Sequence, residues 1–494
     1  MTAKKKTVSK KSGGRKAATS SSKKGSKKSS GKKASAKKGQ EEEASGRKGS
    51  TRTSGKKKSA PKKSSKKSAK EKPISVSRLR RVERKLLFWC ALGVITGTFL
   101  LLGARPESAP PVKPADFLPL VCYLGSLLFM HGSFLLFRFR GDPVLTGLMA
   151  FLAGTGVLAQ TRMNTFNLEQ VLDPGNFMLP AGILLMVVTA LLFRRGRYLA
   201  LKPFAGLSAL AAIGIMALVL AMGSRYRGAI FAPGGMTPSE LLKILIVVFL
   251  AGFLTLEMKS IRDDSHPVIP PFRVLFPLAF YWAILTVLLV LQRDLGLFVI
   301  LSIVLVLMLF LASGRWQYLV YAGLAAGAFA FLTYHFLAHG QRRLLAWQDP
   351  FSDPTGGGWQ VLQALSGMYA GGLWGTGFGA GNPGLVPIAA SDFIYAVIGE
   401  EMGFVGCVVV IVMYLLFFVR GYRISRAAEE PFGSLLAAGL VTVLAVQTFL
   451  NIAGVTKLVP ITGITLPFIS LGGSSLITNF ASLGILLAVS QGKK

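Results

Sequence analysis

Few side chains in this sequence can do chemistry, and most fall in short polar breaks between long apolar runs. Glu240 and Lys243 stand one helical turn apart where one run opens, so they share a face and can pair. Gln292-Arg293-Asp294 closes another run. Arg342 and Arg343 open a long polar segment, Asp392 ends it, and Lys457 lies in the last polar break. Glu400 and Glu401 follow Asp392 by about two turns of the next run. Ionisable groups in or beside such runs are expensive, which makes each a functional candidate. The carboxylates could move protons or hold a cation, and the Lys and Arg side chains could hold a phosphate. Structural roles compete with every one of these. Glu240 with Lys243 could be an ion pair only. Asp294 and Asp392 could each cap the helix that follows. Glu400 and Glu401 could orient helices, and Arg342 and Arg343 could anchor at headgroups.

The elements that would position these groups are membrane spans. A helix needs roughly 17–25 apolar residues to cross a bilayer. About twelve segments meet that rule, near 86–104, 117–137, 143–160, 177–193, 203–222, 240–257, 273–292, 295–313, 317–337, 394–419, 433–455 and 475–490. Their continuous apolarity selects helices over a barrel, whose strands alternate. The fold class expected is an all-α polytopic membrane protein. Arg138 and Arg140, the cluster Arg194, Arg195, Arg197 and Lys202, the cluster Arg420, Arg423 and Arg426, and Lys493-Lys494 all fall on one side if the count is twelve. By the positive-inside rule that side is cytoplasmic and holds both termini. The segments 223–239, 292–294, 338–393 and 456–474 then lie outside. The third is a 56-residue extracytoplasmic loop with twelve glycines, too long for an ordinary connection and too glycine-rich for a compact insert. Within it Trp359, Leu362, Leu365 and Tyr369 recur at helical spacing, the pattern of a short amphipathic helix in the membrane interface.

Composition agrees. Of 494 residues, 51% are hydrophobic and 16% charged, and the mean hydropathy is +0.50. A soluble globular chain would carry roughly 25% charge, so a soluble enzyme is excluded. The net charge of +35 is concentrated in residues 1–85, which hold 32 Lys/Arg against 5 Glu. No aromatic residue precedes Phe88, and such a segment cannot bury enough apolar surface to order itself. Residues 1–85 are expected to be a disordered basic cytoplasmic tail. It has no signal-peptide core. Because Leu86 opens a span directly after Arg84-Lys85, anionic lipids suit this tail better as partners than nucleic acid does. Other templates fail. There is no phosphate-binding Gly-x-x-x-x-Gly-Lys-Ser/Thr. The glycines from Gly375 to Gly381 follow no strand, so they read as a tight re-entrant or surface turn. Four scattered histidines and three isolated cysteines give no metal-ligand or disulfide pattern.

Four blocks carry a resemblance. They are Pro238-Ser239-Glu240-Leu241-Leu242-Lys243; Gln292-Arg293-Asp294-Leu295-Gly296; the long loop from Asp349-Pro350 through Gly371–Gly377 to Ser391-Asp392-Phe393 and Gly399-Glu400-Glu401; and Asn451 through Pro460–Ser470 to Gly472-Gly473-Ser474-Ser475. In order and spacing they resemble the SEDS family of bacterial membrane proteins, the FtsW/RodA/SpoVE group. Arg293 stands where the family usually has Pro, Thr237 for Gln, Ala390-Ser391 for His-Thr, and Leu471 for Tyr. The resemblance implies a core of ten spans over 143–490, preceded by two extra helices within 86–142. It implies a peptidoglycan glycosyltransferase of the bacterial cytoplasmic (inner) membrane, which polymerises lipid II at the outer face with inversion. Asp392 matches the catalytic carboxylate. Glu240, Lys243, Asp294, Arg342, Arg343, Glu400, Glu401, Ser474 and Ser475 are expected to bind substrate. No pattern demands a metal, although a divalent cation (Mg2+ or Mn2+) could share the diphosphate charge on Glu240 or Asp294. The implied partner is a class B penicillin-binding protein, a transpeptidase. A lipid II flippase, another transporter and an inactive scaffold are the competing readings, but the halves show no repeat and the distinctive residues gather at one face.

Overall fold

The computed structural model describes residues 76–105, 111–166, 169, 172–226, 229–231, 237–262, 272–336 and 338–492. Expectations for residues 1–75 and for Lys493-Lys494 lie outside these. The described residues form fifteen α-helices, several short 3-10 turns and one two-stranded ribbon. The helices are α1 (Val76–Gly103), α2 (Leu118–Leu136), α3 (Pro143–Arg162), α4 (Met178–Leu192), α5 (Ala205–Met222), α6 (Leu242–Leu256), α7 (Met258–Arg262), α8 (Phe272–Gln292), α9 (Leu295–Ser313), α10 (Gln317–Phe336), α11 (Ala338–Gln348), α12 (Trp359–Gly371), α13 (Ile394–Ala427), α14 (Pro431–Val455) and α15 (Gly473–Gln491). All but α7, α11 and α12 belong to segments long and apolar enough to cross a membrane, twelve in all. The ribbon pairs Ser224–Tyr226 with Ala229–Phe231, antiparallel.

In a bilayer the lipid is as apolar as the side chains, so helices associate through close packing and internal polar bonds. The most enclosed span is α14, with 83% of its most apolar stretch buried inside the protein, whereas α10 has 6%. Small residues allow the inner helices to touch. A β-carbon at Gly484 of α15 would meet Met186 O of α4 at 2.4 Å, and one at Gly439 of α14 would meet Val247 Cγ1 of α6 at 2.6 Å. Helix starts follow local chemistry. Asp142 Oδ1 accepts from Val144 N and Leu145 N, and Pro143 fills the first helical position, where no N–H is needed.

Two boundaries differ from the hydropathy reading. Helix α1 begins at Val76, within the stretch that charge counting assigns to the tail. Two charges in its first two turns, Arg80 and Glu83, are buried, while Arg78 and Arg81 are exposed. Arg80 pairs with Glu83, donates to Phe139 O at 2.9 Å and to Gly141 O at 3.2 Å, and lies 4.9 Å from the Phe134 ring centroid. Helix α13 runs eight residues past 419, to Ala427, and it is broken at Gly403 (φ 65°, ψ −167°).

The break explains the glycine-rich segment. Gly371–Gly377 packs into it and pairs with the backbone groups it frees. Phe404 N donates to Gly372 O at 2.9 Å, Val405 N to Leu373 O at 3.2 Å, and Thr376 N to Glu400 O at 2.9 Å. Backbone groups freed by a break in a buried helix must find partners, and here the docked segment supplies them. The approach is too close for side chains: a β-carbon at Gly375 would overlap Glu401 O, and Gly375 itself has φ 88°. The segment is thus a tight turn docked on the break in α13. Helix α12 is present, but the face it buries against α13 carries Val361, Ala364 and Gly371, while Trp359 and Tyr369 are exposed. The aromatic stripe faces outward, so it is the surface of this helix and not its packing seam.

Candidate active site

Five stretches distant in sequence converge on one cavity of about 780 Å³. The start of α6 brings Glu240 and Lys243, and the turn before α9 brings Arg293 and Asp294. Helix α11 brings Arg342 and Arg343, the residues before α13 bring Asp392, and the segment joining α14 to α15 brings Lys457, Ser474 and Ser475.

Asp392 is fixed through its backbone. Its carbonyl accepts from Asn451 Nδ2 at 2.8 Å, and the same amide donates to Ile464 O at 2.6 Å. Ser470 Oγ donates to Ser391 O, and Leu471 N donates to Ala390 O at 2.8 Å. At the side chain, Ser391 Oγ donates to Asp392 Oδ1 at 3.0 Å. Asp392 does not cap α13; Phe393 precedes that helix without a side-chain cap. A β-carbon at Gly463 (φ 74°) would lie 3.7 Å from Asp392 Oδ2 and 3.8 Å from Arg343 Nη2. The carboxylate and the guanidinium thus border the same small space.

Arg343 Nη1 donates to Ile461 O at 3.2 Å and Thr462 O at 2.9 Å. Burial pushes the Arg343 guanidinium below its ordinary value, and the charges of Asp294 and Asp392 push it back up. Asp294 does cap its helix, accepting from Leu297 N at 3.0 Å. Burial raises its carboxyl above the usual range; the Leu297 N–H opposes this, Glu240 adds to it, and Lys243 and Arg343 oppose it. Lys243 is buried and donates to Glu240 Oε2 at 2.5 Å and Gln447 Oε1 at 2.9 Å. The Gln447 amide continues to Thr465 O at 2.9 Å and Ser475 Oγ at 3.3 Å. Ser474 Oγ accepts from Thr237 N at 3.1 Å. Arg293, Arg342 and Lys457 line the same cavity, and their side chains have no protein partner among the described residues. This wall of cations can hold a polyanion while a carboxylate faces the same space.

The C-terminal part of the chain, residues 142–494, matches the family model FtsW/RodA/SpoVE, described as "Cell cycle protein". The chain belongs to the FtsW/RodA/SpoVE family. Its relatives include the peptidoglycan glycosyltransferase RodA of Mycobacterium tuberculosis, 32% identical over 435 residues, covering 84% of this chain and 91% of that one. A probable peptidoglycan glycosyltransferase FtsW of Geobacter sulfurreducens is 38% identical over 258 residues, 51% of this chain and 66% of that one. Among solved structures, a chain from a peptidoglycan synthase complex coordinating polymerization and crosslinking aligns with a TM-score of 0.56 and 26% identity, over 71% of this chain and 98% of its own. RodA of Thermus thermophilus aligns at 0.52 and 25%, over 71% and 97%. With twelve spans and bacterial relatives, this family member is a multi-pass bacterial membrane protein.

Within the family frame, the cavity gathers Asp392, Glu240, Lys243, Asp294, Arg342, Arg343, Ser474 and Ser475. It does not include Glu400 and Glu401. Glu400 Oε1 accepts from Asn382 N at 2.7 Å. Glu401 accepts from Gly379 N at 3.1 Å and from Arg162 Nε at 2.8 Å, while Arg162 Nη2 reaches Gly381 O at 2.6 Å. These acids clamp the glycine-rich segment to α13 and α3, which places them away from a substrate in the cavity. Two positioning residues escaped the sequence reading of the site: Gln447, and Asn451 as more than a motif letter. The available signal was two amides at i, i+4 in an otherwise apolar span, a costly pattern in lipid.

Proposed function

We propose that this protein is a peptidoglycan glycosyltransferase that polymerises lipid II in the cavity bounded by Asp392. The observation that carries the reading is the meeting of that carboxylate with Arg293, Arg342 and Lys457, cations that have no protein partner among the described residues. An acceptor sugar hydroxyl is a poor nucleophile at neutral pH. Asp392, within about 3 Å of it, takes its proton as the new bond forms. The diphosphate leaves on the opposite side of the donor sugar, which inverts the anomeric centre. Its developing charge falls among the cations, which are placed before it forms. Lys243 is held for this by Glu240 and Gln447, and Arg343 by two carbonyls, so neither needs to reorganise. Glu240 and Asp294 are the two carboxylates that could also take a divalent cation with the diphosphate; the chemistry assigned to Asp392 does not depend on one.

Two further features fit this reading. The Arg-rich turns lie at the other end of α13 and α15 from the cavity, so the positive-inside rule turns the cavity outward and both termini toward the cytoplasm. The solved relative from a synthase complex supports a class B penicillin-binding protein as transpeptidase partner. The test is polymer formation by the purified full chain with lipid II in detergent, where no bilayer remains for flipping. The wild type should make glycan strands, and Asp392→Asn should lower the rate on the order of 10²–10⁴-fold with the same elution profile. Full activity in Asp392→Asn would remove it from the mechanism. A folded wild type without polymer would point to a flippase or a scaffold.

A further inference from the structure

A second polar cavity lies at the far end of the same helices. It occupies about 360 Å³ and is bounded by the loop before α3, the C-terminal ends of α13 and α15, and Leu79 of α1. Asp392 precedes α13 and Ser474 opens α15, whereas this cavity meets Arg420–Glu429 and Val489–Gly492. The 19 residues of α15 span roughly 28 Å at about 1.5 Å per residue, the thickness of a hydrocarbon core. The two cavities therefore sit at opposite membrane surfaces.

Three arginines face this second cavity. Arg420 is committed, with its guanidinium 2.7 Å from Asp142 Oδ2. Arg140 and Arg423 are exposed to the cavity and have no hydrogen-bond or ion-pair partner among the described residues. Glu429 also lines the cavity, so the groups left over are two cations and one anion, one positive charge in excess. The cavity opens where five spans begin or end, at headgroup level.

We propose that this cavity binds the headgroup of an anionic glycerophospholipid, with the phosphate between Arg140 and Arg423. Guanidinium groups suit phosphate oxygens. A headgroup of charge −1 cancels the surplus, which a zwitterionic one does not. The bound lipid would bridge α1, one of the two helices preceding the family core, to the ends of α13 and α15.

The test is native mass spectrometry of the purified full chain released from nanodiscs, counting retained lipid. Wild type should retain phosphatidylglycerol in preference to phosphatidylethanolamine. Removing both guanidinium groups in Arg140→Ala/Arg423→Ala should weaken retention roughly thirtyfold, as two surface cations would. Arg140→Lys/Arg423→Lys should keep most of it, which separates charge from folding. The Lys-rich N-terminal segment is the same in every variant, so its own lipid binding cancels in the comparison. Equal retention by wild type and the alanine pair, or preference for the zwitterionic lipid, would overturn the proposal. Displacement by millimolar glycerol phosphate alone would make this a soluble-phosphate site and overturn it too.

Discussion

Lys243 offers a way to separate holding the fold from handling substrate. The residue is 1% exposed, with its ammonium on Glu240 at 2.5 Å and Gln447 at 2.9 Å. Lys243→Met preserves the volume but strands a carboxylate and an amide oxygen. Breaking a buried pair costs about 3–5 kcal/mol. The Glu240 side chain is 21% exposed, so some water reaches it, and the lower end, about 3 kcal/mol, applies. The orphaned Gln447 oxygen adds about 1 kcal/mol. In Glu240→Gln/Lys243→Met no charge is left uncompensated, and only that last cost of about 1 kcal/mol should remain. A double-mutant cycle in detergent, read by thermal and denaturant unfolding, should thus give a coupling of at least about 3 kcal/mol in magnitude, because the double variant recovers that much of the Lys243→Met loss and also removes whatever Glu240→Gln alone costs. Polymer formation should stay low in the double variant although its stability returns, because the cavity has lost a cation. A coupling below about 0.5 kcal/mol would refute the pairing argument. Recovery of both stability and activity would reduce Lys243 to a structural role.

Gly403→Ala should destabilise the chain by about 1–3 kcal/mol from backbone strain alone. Its β-carbon would also fall 2.5 Å from Leu373 O, so unfolding midpoints should drop and polymer formation with them. A variant as stable as wild type would contradict the break in α13. Glu401→Gln should raise hydrogen–deuterium exchange at Gly379–Asn382 while leaving lipid II affinity nearly unchanged; the reverse pattern would put Glu401 back in contact with substrate. Asp294 carries a sign that can be checked by pH. Its carboxyl is raised in the fold, so the stability it contributes is full below the ordinary carboxylate value. That contribution is lost as pH rises through the raised one. The melting temperature of Asp294→Asn, which keeps a cap oxygen, should therefore gain on wild type as pH rises from about 4, and a gap constant with pH would contradict the burial assigned to Asp294.

The spans were legible because hydropathy is a local property, and a bilayer demands about twenty apolar residues whatever the tertiary structure. The start of α1 was not, because Arg80 and Glu83 look like tail until their distant partners Phe139, Gly141 and His131 are known. The same limit separates Asp392 from Glu401. Both are acids near the start of one helix, and only contacts made across the chain show that the first borders a cavity and the second holds a loop. Arg293 shows the limit in backbone terms. Its φ of 62° is closed to proline, whose ring fixes φ near −65°, so the turn that aims this side chain depends on the departure from the usual family residue.

What joins the halves of the site is α14. Gln447 and Asn451 are one turn apart on the most enclosed span, both buried. The first holds Lys243, on the side of the diphosphate in the proposed reaction, and the second holds the backbone of Asp392. In water such amides could exchange partners with solvent at little cost. Inside an apolar bundle every unpaired amide is expensive, so each is locked to the acceptors the fold provides. One rigid helix thereby sets the spacing between the group that takes a proton and the group that receives the leaving charge. A reaction governed by near-ångström placement is sensitive to that spacing. Asn451→Ala should accordingly depress catalysis by moving Asp392, without touching substrate, and should lower the turnover rate more than it weakens lipid II binding.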